Sequence, residues 1–188
     1  MKKILIVLLS FICAGVLGAQ TFSWDLGIES SSKGFLNSTR AMRLSGSEKF
    51  FIKVKPERNC YCYIVQREED GRISILYEGP LTAGAERSVA PGLSSRSATF
   101  YVIVDSVRQE NLDRLIAAFR QDPAAVKGNA VYSEVLKVQR EVHALGEPAV
   151  QFTSVSGATS RNAEDRAPAG YSRQSGKSRY VKTFIVRR

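Results

Sequence analysis

The chain has 188 residues, 44% of them apolar, with 27 lysines and arginines against 18 acids and a formal charge of +9. Six prolines and fourteen glycines without a repeat exclude collagen-like, coiled-coil and wholly disordered classes. A basic balance favours association with anionic partners and leaves the fold open.

Residues 1–19 place Lys2 and Lys3 before an apolar run from Ile4 to Leu17 and finish on small residues, the layout of a cleaved secretory signal. The mature chain is expected to begin at or beside Gln20 and to act in the periplasm or outside the cell. An uncleaved anchor would need about 20 apolar residues, and the sequence turns polar at Thr21. Cys13 follows Ser10, Phe11 and Ile12 rather than a lipobox, so no lipid anchor is expected. Export makes nucleic acid an unsuitable target. No stable membrane span is expected after cleavage.

Residues 20–47 are rich in Ser and Gly and read as an N-terminal lead-in, with a short strand near Trp24 to Ile28. A single domain is expected over 48–188. Phe50, Ile52 and Val54 alternate with Phe51 and Lys53, the period of a half-buried strand that Pro56 ends. Cys60 to Gln66 is apolar on both faces and Arg72 to Tyr77 nearly so, which predicts strands covered on both sides. Between them Asp70-Gly71 predicts a hairpin turn, because glycine accepts the positive backbone angle. Arg87 to Ala90 is a short candidate strand, and Ala98 to Asp105 another two-faced one.

Leu112, Leu115, Ile116 and Phe119 recur at helical spacing and predict a helix over about 108–121, stopped by Pro123 and Gly128. Val131, Val135, Val138, Val142 and Leu145 predict a second over about 132–145. Strand texture returns at Ala149 to Val155 and at Tyr180 to Val186, with a mobile basic loop expected over about 156–179. The expected architecture is α+β: an antiparallel β-sheet or partial β-sandwich with two helices inserted before the C-terminal strands.

Residues 48–119 resemble a widespread bacterial domain of unknown function, numbered 4384. The resemblance rests on the strand FFIKV, the Cys-Tyr strand NCYCYIVQ, the acidic turn REEDG, the strand RISILY ending at Leu76-Tyr77, and then ATFYVIVDS with the helix ENLDRLIAAF. Where the family usually has Pro-Asn after the aromatic residue, this chain has Glu78-Gly79-Pro80. The resemblance covers less than half of the chain. It implies an envelope or secreted accessory domain, often joined to other modules, without accepted catalytic residues.

Cys60 and Cys62 on one strand would hold their Cα atoms about 6.6 Å apart, at the upper limit of a relaxed disulfide. They read as buried core thiols beside Ile64, Phe100 and Val102, with a strained or intermolecular disulfide as the alternative. Zinc wants four ligands, and His143 with two same-strand cysteines falls short; no metal or cofactor is expected. Glu68, Glu69 and Asp70 lack the periodicity of a calcium loop and read as a solvated hairpin tip. Tyr61, Tyr63, Tyr77 and Tyr101 read as core residues, with a sugar-binding face as the alternative.

The function expected from the sequence is a non-enzymatic envelope accessory or interaction module, free-standing or part of a larger envelope assembly. Its partners would be envelope proteins or an anionic envelope polymer. The candidate contact residues are Arg161, Arg166, Arg173, Lys177 and Arg179, set against only Glu164 and Asp165 in the same stretch. The alternative is a thiol-dependent envelope hydrolase using Cys60 or Cys62.

Overall fold

The computed structural model describes residues 22–37, 41–45, 47–144, 150–151, 170–176 and 178–188. The proposed signal segment, Arg161, Arg166 and Lys177 lie outside the described residues. The chain forms β1 (Phe22–Ser30), β2 (Gly34–Phe35), β3 (Met42–Arg43), β4 (Phe50–Pro56), β5 (Cys60–Glu68), β6 (Ile73–Leu81), β7 (Arg87–Val89) and β8 (Ser97–Asp105). Helices α1 (Glu110–Gln121) and α2 (Ala125–Ala144) follow, then β9 (Val150–Gln151), β10 (Tyr171–Gly176) and β11 (Arg179–Arg187). The α+β class holds, with both helices before the C-terminal strands.

The strands make two sheets. One runs β7-β4-β1-β10-β9 with β2 also on β1, the other β3-β11-β8-β5-β6. All pairs are antiparallel except β3 with β11. One buried cluster draws Trp24, Leu26, Phe50 and Ile52 from the first sheet and Cys62, Ile64, Phe100, Val102 and Phe184 from the second, so the sheets form a sandwich. Phe50 meets Phe100 edge-on at 5.5 Å, and Trp24 meets Tyr180 at 5.3 Å, across that interior. A second cluster lies on the opposite face of the second sheet, where Tyr63, Val65, Tyr101 and Ile103 pack under Leu112, Ile116, Val131, Val135 and Val138. Sheet, sheet and helix pair thus make three layers, and the middle sheet is apolar on both faces because both are covered.

Three sequence expectations change. The lead-in segment contains β1, nine residues long, bordered by β4 and β10 and contributing Trp24 to the core; it is an integral strand. Ser23 and Gly27 sit on the outward side, where Gly27 leaves room for Tyr171. A Cβ on Gly27 would lie 2.8 Å from that ring. The second helix starts at Ala125, running through Gly128. Glycine there permits close packing, since its Cβ would fall 3.3 Å from Phe119 and 3.5 Å from Ile73. Finally, part of the expected 156–179 loop is strand: β10 pairs with β1 from Phe22↔Gly176 to Gly27↔Tyr171, and Arg179 begins β11.

Strand β11 pairs with β8 along its whole length but with β3 only at Val186 and Arg187. Its other edge, from Arg179 to Ile185, has no strand partner among the described residues. Lys182 stands between Tyr180 and Phe184 on the same face of β11 and therefore faces the sandwich interior, where burial lowers its pKa. No helix among the described residues is long and apolar enough to cross a membrane.

Candidate functional site

The described contact residues expected from the sequence are already engaged. Arg173 lies opposite Asp25 in the β1–β10 register and holds its carboxylate at 3.1 Å and that of Glu57 at 3.0 Å. Arg179 pairs with Asp105 and, at 2.8 Å, with Glu141. Both arginines fasten strands to neighbouring elements, so the structure does not present them as a free basic surface. Asp105 also accepts hydrogen bonds from the Val107 amide at 2.9 Å and from Gln109 Nε2 at 2.7 Å, fixing the turn into α1.

Cys60 and Cys62 are free thiols facing the sandwich interior with Ile64, Phe100 and Val102, all of them buried. Burial, with a smaller contribution from Asp105, pushes the Cys60 thiol up to about 12. Burial also pushes Cys62, which has no exposed surface, well above its ordinary value. His143 is exposed in the last turn of α2. The tyrosines do not form an open face: Tyr63 and Tyr101 lie under the helices, Tyr61 packs beside them, and Tyr77 packs against the sandwich core under Arg87.

The acidic turn divides. Glu69 and Asp70 are exposed, and Asp70 pairs with Arg72 at 2.6 Å. Glu68 instead turns inward. Its carboxylate accepts from Gln66 Nε2 at 2.8 Å, the Ser94 hydroxyl at 2.9 Å and the Ser94 amide at 3.1 Å. Burial raises its pKa, but the hydrogen bonds from Ser95 and Ser94 outweigh burial and hold the group ionised below the usual carboxylate range. Gln66 Nε2 also reaches the Gly92 carbonyl at 2.7 Å, so this network seats the segment before β8. The expectation of a wholly solvated tip is corrected at Glu68.

Inward rotation of Glu68 leaves a basic surface behind it. At this end of the middle sheet, an open concavity of about 510 Å³ is lined by Arg67, Arg96, Arg187 and Arg188 with the hydroxyls of Ser97 and Thr99. Arg43 stands beside Arg187 in the β3–β11 register. Backbone hydrogen bonds brace the lining: Arg188 donates to the Arg96 carbonyl at 2.8 Å, Glu69 to Ser97 at 3.0 Å, and Leu44 to Arg187 at 2.9 Å. The Arg67 guanidinium stacks on the Tyr132 ring at 4.5 Å. None of the five arginines forms an ion pair among the described residues, and Glu69 is the exposed acid in the lining. Like charges side by side on neighbouring strands are destabilising, and Arg43 beside Arg187 is such a pair. An oxyanion would relieve that repulsion, and the guanidinium fork suits carboxylate and phosphate alike.

Sequence reasoning missed this cluster because its members come from four separate stretches of chain. Only the order β3-β11-β8-β5 gathers them. The available signal was the placement of arginines at strand ends, most plainly Arg187-Arg188. No protein-family model, curated protein or solved structure matches the chain.

Proposed function

We propose that the chain is an exported, non-enzymatic interaction module of the cell envelope, working in the periplasm or outside the cell and holding an anionic partner in the arginine concavity. The observation that carries this reading is the gathering of Arg43, Arg67, Arg96, Arg187 and Arg188 at one end of the molecule without an ion pair among the described residues. The signal-like first 19 residues, the basic balance and the resemblance to the bacterial domain of unknown function support it. Against the thiol-hydrolase alternative stands the burial of Cys60 and Cys62, since the nucleophile would be an exposed thiolate of lowered pKa.

Co-sedimentation with isolated envelope material tests the reading. Exposed charges are screened over about 8 Å at physiological ionic strength, so binding should fall with added salt and in the Arg96→Gln/Arg187→Gln double variant. Binding unaffected by either change would overturn it.

A further inference from the structure

We propose that the concavity takes an acidic polysaccharide, an inference that rests on the anionic-partner reading and names the class of polymer. Its ground is a second cavity of about 370 Å³ on the other side of the β5–β6 turn. Glu68 stands in the wall of both cavities. The Arg67 guanidinium reaches within 4.0 Å of where a side chain on Gly71 would begin, and Gly71 lines the second cavity, so the two meet around the turn.

The second cavity has different chemistry. Ile73, Phe119 and Pro123 give it an apolar wall, while Ser74, Ser94 and Asn129 offer uncharged hydrogen-bonding groups. Asp70, in the same wall, is neutralised by Arg72 at 2.6 Å. An extended occupant therefore meets arginine forks on one side of the turn, and hydroxyl- and ring-compatible surface on the other. A sugar chain bearing carboxylates or phosphates carries both kinds of group. A free phosphate would use one fork and leave the second cavity unused. An acidic protein would ordinarily cover about 800 Å² of its partner's surface, whereas these are two concave sites within the roughly 300–1,000 Å³ span of small-ligand pockets.

Isothermal titration of the full mature chain tests this with polygalacturonate, polyphosphate, polyglutamate and neutral dextran. Polygalacturonate should bind and dextran should not. The Arg96→Gln/Arg187→Gln variant should weaken binding by roughly tenfold or more, the scale of losing one or two charge-assisted contacts. Asn129→Glu, at an exposed position in the second cavity, should weaken polygalacturonate severalfold and leave polyphosphate unchanged, with an unaltered melting temperature in both variants. Binding of polyphosphate or polyglutamate through the arginines, with polygalacturonate silent or indifferent to Asn129→Glu, would overturn the polysaccharide inference and leave the anionic-partner reading standing. Failure of every polyanion to bind would overturn both.

Discussion

Cys62 shows how far a single side chain can be read from its neighbours in sequence. CYCYIVQ is apolar on both faces, which requires cover on both sides, and the thiol is fully buried between the sheets. A serine there would place a hydroxyl among apolar groups, so Cys62→Ser should cost about 1–3 kcal/mol in denaturant unfolding, and native thiols should react with a thiol reagent only after denaturant is added. The raised thiol pKa values also set an alkaline limit. The folded state keeps both thiols protonated while the unfolded chain ionises them above about pH 8.5. Their stabilising contribution is therefore complete below that pH and declines as pH rises toward the value of about 12 for Cys60. Unfolding midpoints should fall through this window, less steeply in Cys60→Ala. Glu68 was not legible in the same way: nothing within REEDG distinguishes it from Glu69, and its burial depends on Ser94, 26 residues away.

At the scale of elements, periodicity located strands and helices well wherever apolar residues recur. It failed where small or polar residues carry the packing. Strand β1 hides behind Ser23, Asp25 and Gly27, and α2 begins in a stretch whose glycine looked like a stop. The structure reverses that reading of Gly128, and Gly128→Leu should overpack the α2–β6 contact by about 1–3 kcal/mol, measurable as a lower melting temperature. Where β2 turns away from β1, Glu48 accepts from the hydroxyls of Ser30 and Ser32 and from the amide and hydroxyl of Ser45. Those bonds, Ser30 foremost, hold its carboxyl far below the usual range. A lowered pKa stabilises the fold above the unfolded-state value of about 4.3 and is lost as pH falls. The melting temperature should therefore drop as pH falls below about 4.3, with a flatter acid limb in Glu48→Gln.

Across the whole molecule, two-faced strands and late helices foretold the α+β class, yet the candidate site stayed invisible. Its five arginines lie as far apart as Arg43 and Arg188 and become neighbours only through sheet order, which local pattern does not encode. Conversely, Arg173 and Arg179, which looked available in sequence, are engaged by Asp25, Glu57, Asp105 and Glu141. A basic stretch becomes a basic surface only when the fold leaves its charges without acids.

The inward lysine of β11 bears on the protein's behaviour at high concentration. A strand with an open edge can template the same strand of another molecule, and natural sheets resist this by directing charge inward at such edges. Stacking molecules along Arg179 to Ile185 would carry the inward-facing Lys182 into each new seam, so Lys182 should oppose fibril growth. Lys182→Leu should shorten the lag before light scattering rises in concentrated, warmed solutions. An unchanged lag would place the protection elsewhere on that edge.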